Sequence, residues 1–346
     1  MPLCKFASFR EFARAMDGCE ASAAAPAVMG TARAQRHTFV LPATEELPEL
    51  ALDLTVAPAL QPHASSTVLY VLDPEPILFG ACCLHTYAGA GYFANAPSDA
   101  PESVFRHLHI VGIGHAVAAY GADERSWDSN RLRALRRRDF PPCDHPTNNP
   151  ARGENANSRR LATALATHVF LHVESNLLPQ SATGGEPSVR RALLGSSYSA
   201  VLALQVLLCA PASVDAFILG SPSVPFDPEI LEWLRWLDVP WSRWPNTASE
   251  PTARPAGVFV AYGALEREPP PPSDQPQRPE PGFGFSHDRR NVHRHIPDQC
   301  EVLAAKLREL GVAVDGAHSI VGEDHTSLKL SLVSRGLSWL VERWTA

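Results

Sequence analysis

Short, almost unbroken apolar runs alternate with longer stretches of helical periodicity along this chain, and no other feature constrains its fold as strongly. The runs His37–Leu41, Thr67–Leu72, Leu108–Ile113, Arg190–Leu194, Val214–Leu219, Gly257–Tyr262 and Val312–His318 are rich in Val, Ile, Leu and aromatics. Runs of that kind are read as strands covered on both faces, as in a parallel sheet. Helical patterns fall at Arg159–Leu177, Ser199–Leu208, Pro228–Leu237, Asp298–Leu310 and Leu328–Trp344, with Asp298 and Glu301 as a capping pair for the fourth. In the last of these, Leu328, Leu332, Leu337, Leu340 and Val341 share one stripe, so it should pack on the sheet. The order predicts an α/β architecture: a mostly parallel central sheet with helices on both faces.

Composition sets the limits of that architecture. With 346 residues, 45% of them hydrophobic and 19% charged, the chain can bury a large core. The expected organisation is one decorated domain over residues 36–346, preceded by an Ala- and Arg-bearing variable segment, 1–35. Residues 139–157, with Pro141, Pro142, Pro146 and Pro150, predict a loop. A second insertion, 268–297, begins with seven prolines in the thirteen residues 269–281, too many for a helix or a central strand. A net charge of −7 argues against a nucleic-acid binder working through its bulk field. No apolar run reaches the ~18 residues a membrane helix needs. The seven cysteines are odd in number and unpaired in spacing, and no signal-peptide pattern is present, so a reducing, cytoplasmic setting is expected. Cys82-Cys83 is neither a CxxC nor a zinc-like arrangement.

The chemistry concentrates at Gly195-Ser196-Ser197-Tyr198-Ser199, which joins an apolar strand to a helix. This is a near G-x-S-x-G, with Ser199 in the fifth position instead of Gly. Small neighbours are needed because a nucleophile there occupies a strained strand-to-helix turn, which also aims the next N–H, that of Tyr198, at a developing oxyanion. An ordinary Ser-rich helix cap would look similar. The order of the remaining groups separates the two readings. On an α/β-hydrolase sheet a nucleophilic serine is followed by an acid after the next-to-last strand and a histidine after the last. Here Gly257–Tyr262 runs into Glu266, with Glu268 close by, and Val312–His318 runs into His325. Ser197, Glu266 and His325 are therefore the expected catalytic set, His325 taking the serine proton and Glu266 fixing the imidazole tautomer.

Further residues resemble one family, the putative-esterase (esterase D-like) branch of the α/β hydrolases, and within it the siderophore esterases. Val68–Asp73 resembles the family's strand ending in Y-x-L-D. Ile110–Gly114 and Arg138–Pro142 resemble its I-G-I-G strand and R-x-x-D-[YF]-x-P stretch. Phe170–Pro179 resembles the helix ending in E-L-I-P. Gly195–Ala200 stands where the family has G-H-S-Y-G-G, and Ser221-Pro222-Ser223 resembles its S-P-S. Gly263–Glu266 is similar to G-x-x-E, and Gly322–His325 to G-E-x-H. The resemblance spans roughly residues 35–345 and implies an α/β-hydrolase fold and a Ser-His-Glu carboxylic-ester hydrolase needing no cofactor. It further implies a small ester substrate of the siderophore type. The chain departs from the family at Ser196, Ser199 and Ala200, which replace His, Gly and Gly, and at Asn176, where an acid would precede the L-I-P run. It departs again at Pro74, where many relatives have Gly. The second oxyanion donor is expected from the Pro74–Glu75 loop, and since proline has no N–H, the N–H of Glu75 is the candidate.

Four weaker groupings complete the reading. Arg136, Arg137, Arg138 and Asp139 could line the site entrance and face a carboxylate or catecholate, form a solvated cluster, or position a loop through an Arg–Asp pair. Trp233 and Trp236, followed by Trp241 and Trp244, suggest either core packing or an aromatic substrate wall. His287, His293 and His295 lack the spacing of a metal site, and none is expected. Gly89-Ala90-Gly91 lacks the third glycine and preceding strand of a dinucleotide site. Two rival functions remain compatible with the same residues: an acyltransferase or other acyl or thioester hydrolase, and a non-catalytic binding protein on this fold.

Overall fold

The computed structural model describes residues 34–41, 49–61, 67–74, 76–92, 104–116, 135–136, 139–140, 158–178, 189–223, 257–267 and 296–345. Within them lies an eight-stranded sheet of order β1-β2-β4-β3-β5-β6-β7-β8. Its strands are β1 (Gln35–Leu41), β2 (Leu50–Ala57), β3 (Thr67–Leu72), β4 (Leu108–His115), β5 (Arg190–Ser196), β6 (Ala216–Gly220), β7 (Gly257–Gly263) and β8 (Val314–Ile320). The pairs β1–β2 and β2–β4 are antiparallel, and from β4 to β8 every neighbour is parallel. This is the mostly parallel sheet that the apolar runs predict. The helices are α1 (Pro76–Tyr92), the single-turn α2 (Val104–His107), α3 (residues 158–177), α4 (Tyr198–Cys209), α5 (Ile296–Glu309) and α6 (Leu328–Thr345).

Two apolar layers sandwich the sheet. Tyr70, Leu193, Phe217 and Val260 point to the face covered by α3, α4 and α5. Leu69, Leu194, Ile218 and Phe259 point to the other face, covered by α1 and α6. Alternate residues of one strand thus serve both cores, which is why β3, β6 and β7 carry almost no polar positions. The stripe of α6 packs as expected. Its closeness has a specific cause: a Cβ on Gly220 would meet Leu332 Cδ2 at 2.2 Å, and one on Gly336 would meet Ile218 Cγ2 at 2.6 Å.

Several sequence expectations need correction. Strand β2, helix α1 and the single-turn α2 were not among the expected elements. In β2, Asp53 and Thr55 interrupt the apolar run because they pair in an antiparallel ladder beside β1 at the sheet's end. Helix α1 is apolar nearly all round, so it lacks a polar face to betray its period, and it opens on Pro76, which suits the first helical position. Cys82, Cys83 and Gly89–Gly91 all lie within it. The strands expected at Val214–Leu219 and Val312–His318 form further along, at Ala216–Gly220 and Val314–Ile320. Helix α5 starts at Ile296, which puts Asp298 inside its first turn, so the pair Asp298–Glu301 does not cap it. Both carboxylates instead accept hydrogen bonds from Arg267 Nη2, each at 2.9 Å. Helix α3 matches its expected span but contains two π-helical turns, Leu165–Val169 and Val173–Leu177. The helix expected at 228–237 and the proline insertion at 268–281 lie outside the described residues.

Parallel registration gathers the C-terminal strand ends along one edge. Ser196 of β5 pairs with Gly220 of β6, Gly220 with Ala261 of β7, and Gly263 with Ile320 of β8. The segments leaving those ends carry Ser197, Ser221, Glu266 and His325, so sheet topology alone brings distant residues together.

Candidate active site

Ser197 occupies the turn between β5 and α4 with φ 60° and ψ −121°, a region that a residue with a side chain adopts only under constraint. Three contacts impose it. Ser197 N–H donates to Gly220 C=O at 2.8 Å, and Ser223 N–H donates to Ser197 C=O at 3.2 Å. Ser199 Oγ accepts from Ser196 N–H at 2.9 Å and donates to Ser196 C=O at 2.8 Å, closing the turn. The two small positions flanking the nucleophile therefore differ in kind. A Cβ on Gly195 would sit 2.4 Å from Ser199 O, so glycine is sterically required there. The fifth position tolerates serine, whose hydroxyl becomes a staple.

The turn delivers Ser197 Oγ to His325 Nε2 at 2.9 Å, and His325 Nδ1 lies 3.1 Å from Glu266 Oε2. An ionised carboxylate only accepts hydrogen bonds, so Nδ1 carries the proton toward Glu266 and Nε2 is left to accept from the serine. Glu266 is 4% exposed. Its Oε1 accepts from Gly263 N–H at 2.9 Å and from the Ser221 hydroxyl. The carboxylate is thereby satisfied on both oxygens, as a buried charge must be. His325 follows Asp324, whose Oδ1 accepts from the N–H groups of Thr326 and Ser327, each at 2.8 Å, fixing the loop that presents the imidazole.

Tyr198 is the first residue of α4, where N–H groups lie outside the intrahelical ladder and the helix dipole is positive. Across from it, Asp73 ends β3 with φ 54° and donates its N–H to Ile113 C=O at 2.8 Å. Pro74 packs onto β4: a Cβ on Gly112 would meet Pro74 Cβ at 2.8 Å, and one on Gly114 would meet its Cδ at 3.1 Å. Arg136 links these two segments. Its Nη2 pairs with Asp73 Oδ2 at 2.7 Å and its guanidinium lies 5.8 Å from the Tyr198 ring centroid. Nearby, buried Asp139 accepts from His115 Nε2 at 2.8 Å. Of the three readings offered for the arginine cluster, Arg136 fits loop positioning through an Arg–Asp pair, made with Asp73. Glu75, Arg137, Arg138, Trp233, Trp236, Trp241, Trp244, Glu268, His287, His293 and His295 lie outside the described residues.

The three buried cysteines among the described residues are not poised as nucleophiles. Burial pushes the Cys83 thiol up to about 12 and the Cys82 thiol well above its ordinary value. Burial first, then the charges of Glu266 and Glu301, do the same to Cys300. A thiol so raised holds no thiolate at neutral pH. Among the described residues there is no cluster of His, Cys, Asp and Glu able to hold a metal ion. Sequence reasoning named Ser197, Glu266 and His325, which the structure brings together, but gave no role to Ser221 and Ser223, whose hydroxyls touch that group.

Comparison with known proteins adds sequence and fold relatives. No protein-family model matches the chain. The siderophore enterobactin esterase of Emericella nidulans is 27% identical over 242 residues, covering 67% of this chain and 71% of that protein. The siderophore triacetylfusarinine C esterase of Aspergillus fumigatus is 27% identical over 186 residues, covering 51% of this chain and 58% of that protein. The solved structure of the siderophore hydrolase EstB from Aspergillus nidulans superposes with a TM-score of 0.61 at 20% identity, over 90% of this chain and 96% of that one. The chain has the α/β-hydrolase fold and is similar in sequence to siderophore esterases. In an α/β hydrolase the edge at which β5, β7 and β8 end is where the reacting groups sit, and Ser197, Glu266 and His325 occupy that edge in the chain order Ser, acid, His.

Proposed function

We propose that this α/β hydrolase is a serine carboxylic-ester hydrolase acting through Ser197, His325 and Glu266. The observation that carries the reading is the hydrogen-bond relay of 2.9 and 3.1 Å that ends on a serine held at φ 60°. Ser197 Oγ attacks the ester carbonyl carbon as its proton passes to His325 Nε2. Glu266 Oε2 holds the imidazolium through Nδ1 and stays ionised. The tetrahedral oxyanion receives the Tyr198 N–H at the start of α4. One such donor contributes about 10²–10³ in rate. Collapse breaks the carbon–oxygen bond to the alcohol, which leaves with the proton from His325. Water then repeats the sequence on the acyl-enzyme and returns Ser197 to its starting state.

We infer the substrate class from the relatives. Two proteins named as siderophore esterases share 27% identity with the chain, which supports an ester-linked siderophore as substrate. A fluorophosphonate probe tests the nucleophile: Ser197 should be labelled in the wild type and the label should vanish in Ser197→Ala. Equal labelling of both proteins would refute the assignment. A panel of ferric and iron-free siderophore esters, short acyl esters and a thioester tests the substrate. Hydrolysis confined to short acyl esters would exclude the siderophore class, and acyl transfer to an added alcohol in preference to water would make the protein a transferase.

A further inference from the structure

Ser223 lies beyond the relay, yet its hydroxyl is the second partner of the nucleophile. Its Oγ is 2.9 Å from Ser197 Oγ, the same distance as His325 Nε2. The residue is 1% exposed. Its backbone N–H also binds Ser197 C=O at 3.2 Å, so side chain and main chain both engage the nucleophile. Two residues earlier, Ser221 gives its hydroxyl to Glu266 Oε1. The segment 221–223 thus touches both ends of the relay, and the mechanism above uses neither hydroxyl.

Counting hydrogens fixes the direction of the Ser223 bond. Ser197 Oγ carries one hydrogen and can accept others. If that hydrogen goes to Ser223, the lone pair of His325 Nε2 loses the serine. The Ser223 hydrogen, with no other partner among the described residues, is then left buried and unpaired. If Ser197 donates to His325 and Ser223 donates to Ser197 Oγ, every group is satisfied. The second arrangement is also the reactive one, since it aims the Ser197 proton at the base.

We propose that Ser223 is a further catalytic residue of this site, its O–H donating to Ser197 Oγ wherever negative charge gathers on that atom. The proposal rests on Ser197 being the nucleophile. In acylation, charge builds on Oγ as its proton moves to His325 and the Oγ–carbonyl bond forms. In the acyl-enzyme Oγ is an ester oxygen and a poor acceptor. In the last step the carbonyl–Oγ bond breaks, its electron pair returns to Oγ, and the His325 Nε2 proton follows it. The Ser223 hydroxyl is strongest in the two transition states and weakest between them, so it acts on rate and not on substrate binding.

The test compares wild type, Ser223→Ala, Ser223→Cys and Ser197→Ala for fluorophosphonate labelling rate and for kcat and KM on a p-nitrophenyl ester, with Tm measured for each. Removing one neutral donor at a reacting atom is expected to lower labelling rate and kcat by about tenfold, with KM unchanged. Cysteine keeps the shape and is a weak donor, so it should show the same loss and carries the test if the alanine variant does not fold. Labelling rate and kcat equal to wild type, or a change in KM alone, would overturn the role of Ser223 while leaving Ser197 in place. Failure of the wild type to label at Ser197 would remove the parent reading and this one with it.

Discussion

Glu266 receives a ring N–H, a backbone N–H and a hydroxyl on a carboxylate almost wholly withdrawn from solvent. All three are donors, so the site is built for an acceptor. Glu266→Gln replaces one oxygen with an NH₂ that would face a donor, or turn the imidazole to its other tautomer and aim an N–H at the serine. We expect kcat to fall by about 10²–10⁴ with the fold retained, by analogy with the loss when a triad carboxylate becomes an amide. Steady-state kinetics beside circular dichroism would check this, and a fall under tenfold would show that the carboxylate does not hold the tautomer. The grouping of Ser197, Glu266 and His325 was legible in the sequence because each follows a strand candidate and the α/β-hydrolase topology fixes their chain order. Ser221 and Ser223 were not, because Ser-Pro-Ser after a strand is also the composition of an ordinary turn. Only the tertiary position of Ser197 and Glu266 distinguishes them.

At the scale of elements, the loops carrying Glu266 and His325 are stitched to each other as well as to the sheet. Leu265 N–H donates to Glu323 C=O at 3.0 Å, and a Cβ on Gly263 would lie 2.4 Å from that same oxygen. Gly263 has φ −76°, so its glycine is required by proximity and not by backbone freedom. Gly263→Ala should push the 323–325 segment off the end of β7 and carry His325 away from Ser197. A displacement near 1 Å at a reacting group costs about 10² in rate, so kcat should fall by that order with a smaller effect on Tm. Activity within twofold of wild type, about the scatter of such kinetics, would show that the loops adjust independently. Element order was legible because buried parallel strands are almost pure apolar runs. Of the missed elements, β2 and α1 are those whose burial departs from that pattern: one carries an acid and a threonine in a ladder, the other has no polar face. The Asp298–Glu301 pair misled because capping and ion pairing use the same residue types, and Arg267, from a distant loop, took both carboxylates.

Across the whole molecule, the reacting edge is held by polar groups and the opposite part of the sheet by buried ones whose charge states follow pH. Arg191 pairs with Glu174 through two bonds of 2.6 Å, and Tyr70 adds its hydroxyl to the same carboxylate at 2.9 Å, tying β5 and β3 to helix α3. His109 of β4 is fully buried and accepts the Ala59 N–H on Nδ1 at 3.1 Å. Burial, with a smaller effect from His107, lowers its pKa from 6.5 to about 4. His85 is lowered in the same direction by burial. In the unfolded chain His109 takes up a proton as pH falls through 6.5, while in the folded chain it stays neutral until about 4. The unfolded state therefore binds more protons across that window, and stability rises with pH and is lost as pH falls. For His109 the full span amounts to about 3 kcal/mol. His109→Asn offers a neutral oxygen near the position of Nδ1 to the Ala59 N–H and cannot titrate. Urea unfolding of the wild type should weaken steadily from pH 6.5 to about 4, and the Asn variant should show a shallower decline over the same range. Parallel declines in the two proteins would place the acid sensitivity in other groups and leave His109 as packing alone.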